Sequence, residues 1–372
     1  MFDPFKRARA KATKKIRRAT VSAMTDAWGA MLAPAKPPTA KARKTPEAKG
    51  AARKVSGKSS VGKTASKSRI PTTAQSKISV PRGATFRNET FKSAFGTRSY
   101  KLYVPAGVQA GPDLRPLIVM LHGCGQSPVD FARGTGMNAL AEEFGFLVLY
   151  PGQAREAHNY RCWNWYRRGD QTRGAGEPAL LAGMTRHIIG SQGIDPAKVY
   201  VAGLSAGAAA GLILATEYPD IFAAAGAHSG LAVGAAHDAA SVPKAMQSGV
   251  PGQHHTVKVP TIIFHGSSDR VVNPRNGRFI AIRALEPFDR LDRSEKSGRT
   301  LRGREYMRTV HQVGKGRPYV EQWTVHGAGH AWSGGHADGS YTDPKGPDAS
   351  RAMVQFFLKH RTTKKRRTYA DP

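Results

Sequence analysis

The chain has 372 residues, enough for one large domain with tails, and its 57 Lys/Arg against 26 Asp/Glu give a formal charge of +31. Residues 1–82 hold 21 Lys/Arg and 3 Asp/Glu and residues 359–372 hold 6 and 1, whereas 83–358 carry 30 basic and 22 acidic side chains, only +8 net. That placement argues for ends drawn to an anionic surface and against a nucleic-acid cleft in the middle, and the two cysteines, Cys124 and Cys162, exclude a disulfide-stapled scaffold or an all-cysteine zinc site.

Residues 1–33 read as a basic, marginal amphipathic helix. Ile16, Ala19, Ala23, Ala27, Trp28 and Met31 recur at helical spacing, but the stripe is thin and alanine-rich. The alternative is a surface-binding helix for anionic lipid or a storage granule. Residues 21–33 are broken by Asp26 and several polar residues, so no standard secretory leader is read there. No run of about 18 apolar residues exists, so no integral membrane segment is expected. Residues 34–82 are Lys, Ala, Ser, Thr, Pro and Gly with almost no large apolar side chains, which predicts a disordered basic linker. Inside it, Gly57-Lys58-Ser59-Ser60-Val61-Gly62-Lys63-Thr64 matches a phosphate-binding loop pattern. No strand precedes it to aim its amides, so no nucleotide site is expected.

From about residue 84 the texture becomes alternating strand and helix, and a folded domain is expected over 83–360. Residues 100–104, 117–121 (LIVML), 146–150 (FLVLY), 199–202, 222–227, 261–265 (TIIFH) and 319–325 read as strands. Residues 137–144, 180–191, 206–217 and 349–360 read as helices. The alternation implies an α/β fold with a mostly parallel central sheet covered by helices on both faces. Residues 284–318 are polar and Arg-rich, and read as a surface insertion, either a loop or a hairpin. Residues 361–372 form a basic C-terminal tail.

Gly203-Leu204-Ser205-Ala206-Gly207 follows a predicted strand and opens a predicted helix. That context makes it a nucleophile elbow, a tight turn that lifts the Ser205 hydroxyl above the sheet. A serine hydroxyl needs a base, and the base needs orienting. Asp269 follows the TIIFH strand and is the candidate acid, ahead of Asp238 in a polar loop. His330 follows the last strand in a small-residue turn and is the candidate base, ahead of His326 and His336. Two backbone amides are required for the oxyanion. Ala206, directly after the nucleophile, is one candidate; Cys124, in the turn His122-Gly123-Cys124-Gly125-Gln126, is the other, with Gly123 as the fallback.

Assembled in this way, the chain resembles the polyhydroxybutyrate depolymerase family of serine esterases, a group close to feruloyl and acetyl-xylan esterases. The matching motifs are Leu121-His122-Gly123-Cys124, Cys162-Trp163-Asn164-Trp165, Gly203-Leu204-Ser205-Ala206-Gly207, His265-Gly266 followed by Asp269, and Gly329-His330-Ala331-Trp332. They span roughly residues 95–358. The resemblance implies an α/β-hydrolase fold and an ester hydrolase without metal or other cofactor. It implies a Cys124–Cys162 bridge, which would contribute on the order of 3 kcal/mol by loop entropy and would not form in a reducing cytoplasm. It also implies an extracellular setting, which the lack of a clear leader leaves open against a cytoplasmic one. Trp163 and Trp165 are expected partly in the core and partly in the pocket wall, and Trp332 on the substrate surface beside His330. The expected substrates are short-chain hydroxyacid esters, with feruloyl or acetyl esters of polysaccharide second. The expected further partner is a polyanionic surface or granule met by the basic ends.

Overall fold

A strand buried on both faces needs apolar side chains at every position, and the runs around residues 119, 148 and 263 supply them. In the computed structural model, which describes residues 78–107 and 114–367, ten strands join into one sheet. They are β1 (Thr85–Ser93), β2 (Gly96–Val104), β3 (Arg115–Leu121), β4 (Leu147–Pro151), β5 (Ile194–Leu204), β6 (Ala224–His228), β7 (Thr261–Gly266), β8 (Asp292–Arg299), β9 (Glu305–Gln312) and β10 (Pro318–Val325). Their spatial order is β1-β2-β4-β3-β5-β6-β7-β10-β9-β8. The six from β4 to β10 in that order run parallel. The two hairpins at the edges are antiparallel.

The helices are α1 (Pro128–Thr135), α2 (Met137–Phe144), α3 (Gly176–Ser191), α4 (Ala206–Glu217), α5 (Val242–Ser248), α6 (Arg275–Leu285), α7 (Ala349–Phe357) and α8 (Lys364–Arg367). Side chains alternate across each strand and so divide the core in two. Leu117, Val119 and Leu121 pack with α3, α4 and α6 on one face. Ile118 and Met120 pack with α1, α2 and α7 on the other. Local chemistry sets the helix ends. Ser127 accepts the Asp130 N–H at 3.2 Å to start α1, and Gly136, at φ 64°, ends it in the left-handed region. Among the described residues no helix is long and apolar enough to cross a membrane.

Residues 284–318 resolve into the end of α6 and the β8–β9 hairpin, which adds two strands to the sheet edge. The hairpin alternative therefore describes the segment, and the detached loop does not. The boundaries also shift. Ile78 packs against the α1–α2–α7 side of the core. Beyond His360, buried Thr362 donates its amide to Ala197 O at 2.9 Å, and α8 follows. The expected helix over residues 1–33, most of the basic linker, the phosphate-loop pattern at 57–64 and the last residues of the C-terminal tail lie outside the described residues.

Candidate active site

β5 runs to Leu204, and the chain reverses at once into α4. Ser205 takes φ 57° and ψ −121°, a conformation that a non-glycine residue holds only when its surroundings enforce it. They do so by proximity. A Cβ at Gly203 would stand 2.5 Å from Gly207 O and 2.7 Å from Leu121 O. One at Gly207 would overlap Leu121 O and reach His122 O at 2.5 Å. The elbow is thus pressed against the end of β3, and Ser205 N–H is fixed by His228 O at 2.9 Å.

The two candidate oxyanion amides lie at the start of α4 and in the loop after β3. Ala206 opens α4, where a helix leaves its first N–H groups unpaired and presents positive charge. In the loop after β3, Gly123 N–H goes to Gln126 Oε1 at 2.8 Å, Gly125 N–H to Tyr160 O at 2.7 Å and Gln126 N–H to Gly123 O at 3.2 Å. Cys124 N–H has no acceptor among the described residues, so between Cys124 and Gly123 the free donor is Cys124.

A buried polar network holds this loop. Cys124 and Cys162 are joined by a disulfide. His122 Nε2 accepts the Gln153 N–H at 3.1 Å, so Nδ1 carries the proton and donates to Gly123 O at 2.8 Å. Burial pushes His122 down to about 4, which keeps it neutral. Glu177, at the start of α3, accepts Asn164 N–H at 2.7 Å, Asn164 Nδ2 at 2.8 Å and Gln153 Nε2, with Arg98 at 3.3 Å. The Cys162-Trp163-Asn164-Trp165 segment is thereby tied to the loop after β3.

Asp269 and His330 come together from the ends of β7 and β10. His330 Nδ1 lies 2.9 Å from Asp269 Oδ2. Oδ1 accepts the Val271 and Val272 amides, each at 2.9 Å. A third contact was not read from the sequence: His265 Nε2 donates to Val272 O at 2.8 Å and lies 3.4 Å from Asp269 Oδ2. Burial alone would raise the Asp269 carboxyl, but the charge of His330 and hydrogen bonds from His265 and His330 outweigh it and hold the group well below the usual carboxylate range. Ser205 is linked to this pair through His228, whose carbonyl binds Ser205 N–H and whose ring binds Ser333 N–H, three residues beyond His330.

The competing residues lie elsewhere. Asp238 is exposed and accepts the Ser241 N–H at 2.8 Å in its own turn. His326 is exposed at the end of β10, and exposed His336 rests against Gly136. The tryptophans correct an expectation. Trp332 is 1% exposed, donates Nε1–H to Ser350 Oγ at 3.0 Å and stacks on His228, so it supports the His330 loop from inside and does not line its surface. Trp163 is 0% exposed and bonds His122 O at 2.9 Å. Trp165 is buried against Tyr166. Sequence adjacency to a motif does not say which way a ring turns. Among the described residues no set of three or more His, Cys, Asp or Glu is grouped to hold a metal ion.

A family model described as Esterase PHB depolymerase matches residues 98–292. Poly(3-hydroxyalkanoate) depolymerase C of Paucimonas lemoignei is 32% identical over 64% of this chain and 60% of its own length. Feruloyl esterase B of Talaromyces funiculosus is 27% identical over 48% of this chain and 55% of its own length. Acetylxylan esterase A of Talaromyces purpureogenus is 28% identical over 50% and 52%. The chain thus spans 52–60% of the length of these relatives. Among solved structures, the acetyl xylan esterase from Aspergillus awamori superposes with a TM-score of 0.57 at 21% identity, covering 74% of this chain and 99% of that one. That likeness shows an α/β-hydrolase fold.

Proposed function

Because the chain belongs to the PHB depolymerase family of esterases, we propose that it hydrolyses short-chain carboxylic esters through an acyl-enzyme on Ser205, with hydroxyalkanoate esters as its substrates. The observation that carries this reading is the 2.9 Å contact between His330 Nδ1 and Asp269. With Nδ1–H given to the carboxylate, Nε2 is the nitrogen that takes the Ser205 proton. Ser205 Oγ then attacks the ester carbonyl, and the Cys124 and Ala206 amides receive the oxyanion. His330 returns the proton to the departing alcohol. Water, activated by the same imidazole, releases the acid and restores Ser205. Asp269 stays ionised throughout and stabilises the imidazolium.

Ser205→Ala is expected to lower p-nitrophenyl butyrate turnover by about 10⁴ or more, and a fluorophosphonate should label the Ser205 peptide. Residual activity within tenfold of wild type would remove Ser205 from this role. The hydroxyalkanoate assignment follows the Paucimonas lemoignei relative. A second reading, feruloyl or acetyl esters of polysaccharide, is favoured by the Talaromyces relatives. Product analysis on hydroxybutyrate oligomers beside methyl ferulate separates the two. The basic ends are assigned to a polyanionic surface or granule; failure to bind duplex DNA at about 50 mM salt removes the nucleic-acid version.

A further inference from the structure

We propose that His228 is a positioning residue, locking the Ser205 elbow and the His330 loop into one register; this rests on the ester-hydrolase reading above. His228 ends β6, beside the strand that feeds the elbow. Its carbonyl oxygen accepts the Ser205 N–H at 2.9 Å. Its ring Nε2 accepts the Ser333 N–H, also at 2.9 Å. A backbone amide only donates, so Nε2 is unprotonated, and Nδ1–H faces Ser229 Oγ at 3.3 Å. The ring stacks on Trp332 at 5.1 Å and on Phe264 at 5.8 Å between centroids, and the residue is 1% exposed. Burial lowers His228 to about 3, so the ring is neutral at working pH and is not a proton carrier; the titratable groups facing it are His265, His330 and Asp269. One residue therefore grips the nucleophile's backbone with its own carbonyl and the base's loop with its side chain.

An apolar residue could fill the same space between Trp332 and Phe264. It could not satisfy the Ser333 amide, which would be left buried without an acceptor. The loop would then shift to recover a partner, and His330 would move relative to Ser205. A misplacement of about 1 Å in such a pair costs on the order of 10²-fold in rate.

The test uses the full chain with p-nitrophenyl butyrate across pH. His228→Leu should lower kcat by about 30-fold or more, leave KM within about threefold, and move the acidic limb of the kcat/KM profile that reports His330. His228→Gln, whose amide oxygen can accept from Ser333 N–H, should recover to within about tenfold of wild type with the limb restored. A Leu variant within about threefold of wild-type kcat overturns the assignment. So does a Gln variant as impaired as Leu, or one that fails to fold, since either result makes the ring a packing element. If Leu does not fold, the Gln variant alone decides: recovery within about tenfold upholds the role, and a deeper loss overturns it. Wild type inactive on every ester sinks the hydrolase reading itself, and labelling at another serine sinks the Ser205 assignment; both outcomes are read without any His228 variant.

Discussion

At the scale of single residues, the site depends on how closely two backbones approach. Gly207 has no room for a side chain, because a Cβ there meets carbonyl oxygens of Leu121 and His122. Neither can retreat without moving the end of β3 and the loop that carries Cys124. Gly207→Ala is therefore expected to cut kcat about 100-fold or more and to lower stability by about 1–3 kcal/mol, the usual range for overpacking. Gly190→Ala, where a Cβ meets nothing within 4 Å, is the control and should leave kcat and the melting temperature nearly unchanged. A Gly207→Ala enzyme with wild-type kcat would show that the elbow is looser than the distances imply. Ser205, Asp269 and His330 stand out as candidates in the sequence because each follows a strand in a small-residue turn. The sequence hid His228 among 13 histidines, and it showed His265 in a motif without its contacts, because the partners of both include backbone groups brought close only by the fold. Trp332 misled for the same reason, since its ring is turned inward by Ser350 and His228.

At the scale of elements, legibility followed burial. β3, β4 and β7 are enclosed on both faces, so their apolar runs announce them. β1 and β8 have no fully buried residue and carry no such run, so their pairing registers were unreadable. The β8–β9 hairpin nevertheless reaches the site. Thr300 Oγ1 donates to Lys345 O at 2.7 Å, Arg304 pairs with Asp343 at 2.9 Å, and Glu305 O accepts the His326 N–H at 2.9 Å. It thus braces the segment on both sides of His330. The disulfide braces the other side, joining the loop after β3 to the Cys162 segment across a sequence separation of 38. By loop entropy that bridge contributes about 3 to 4 kcal/mol. Cys162→Ser should lower the melting temperature and also kcat, because Cys124 loses the tether that fixes its amide. Thermal melts and kcat measured on the oxidised wild type and the variant check this; a lowered melting temperature with unchanged kcat would make the bridge a stabiliser alone.

At the scale of the whole molecule, the charge map separates the basic ends from a nearly balanced middle, and the buried histidines give the middle its pH response. His122 and His228 are pushed down to about 4 and about 3 by burial. An ordinary histidine in the unfolded chain titrates near 6.5. The unfolded state therefore binds protons first as the pH drops below that value, and stability must fall with it. Each group contributes its full share above about pH 6.5 and loses it at about 1.4 kcal/mol per pH unit down to its folded value. Between pH 7 and pH 5 the pair should cost about 4 kcal/mol. Asp269 does not offset this, because its depressed carboxyl loses stability only as the pH falls below the unfolded carboxylate value near 4. Urea denaturation at pH 7 and pH 5 measures the change directly. The midpoint should be clearly lower at pH 5 in wild type, and the loss should shrink by about 2 kcal/mol in a folded His228→Gln variant, which has no ring to protonate in either state. A midpoint independent of pH across this interval would mean that the two imidazoles are hydrated or charged in the native protein, and the neutral hydrogen-bonding pattern that seats His122 against the loop after β3 and His228 behind the elbow would have to be redrawn.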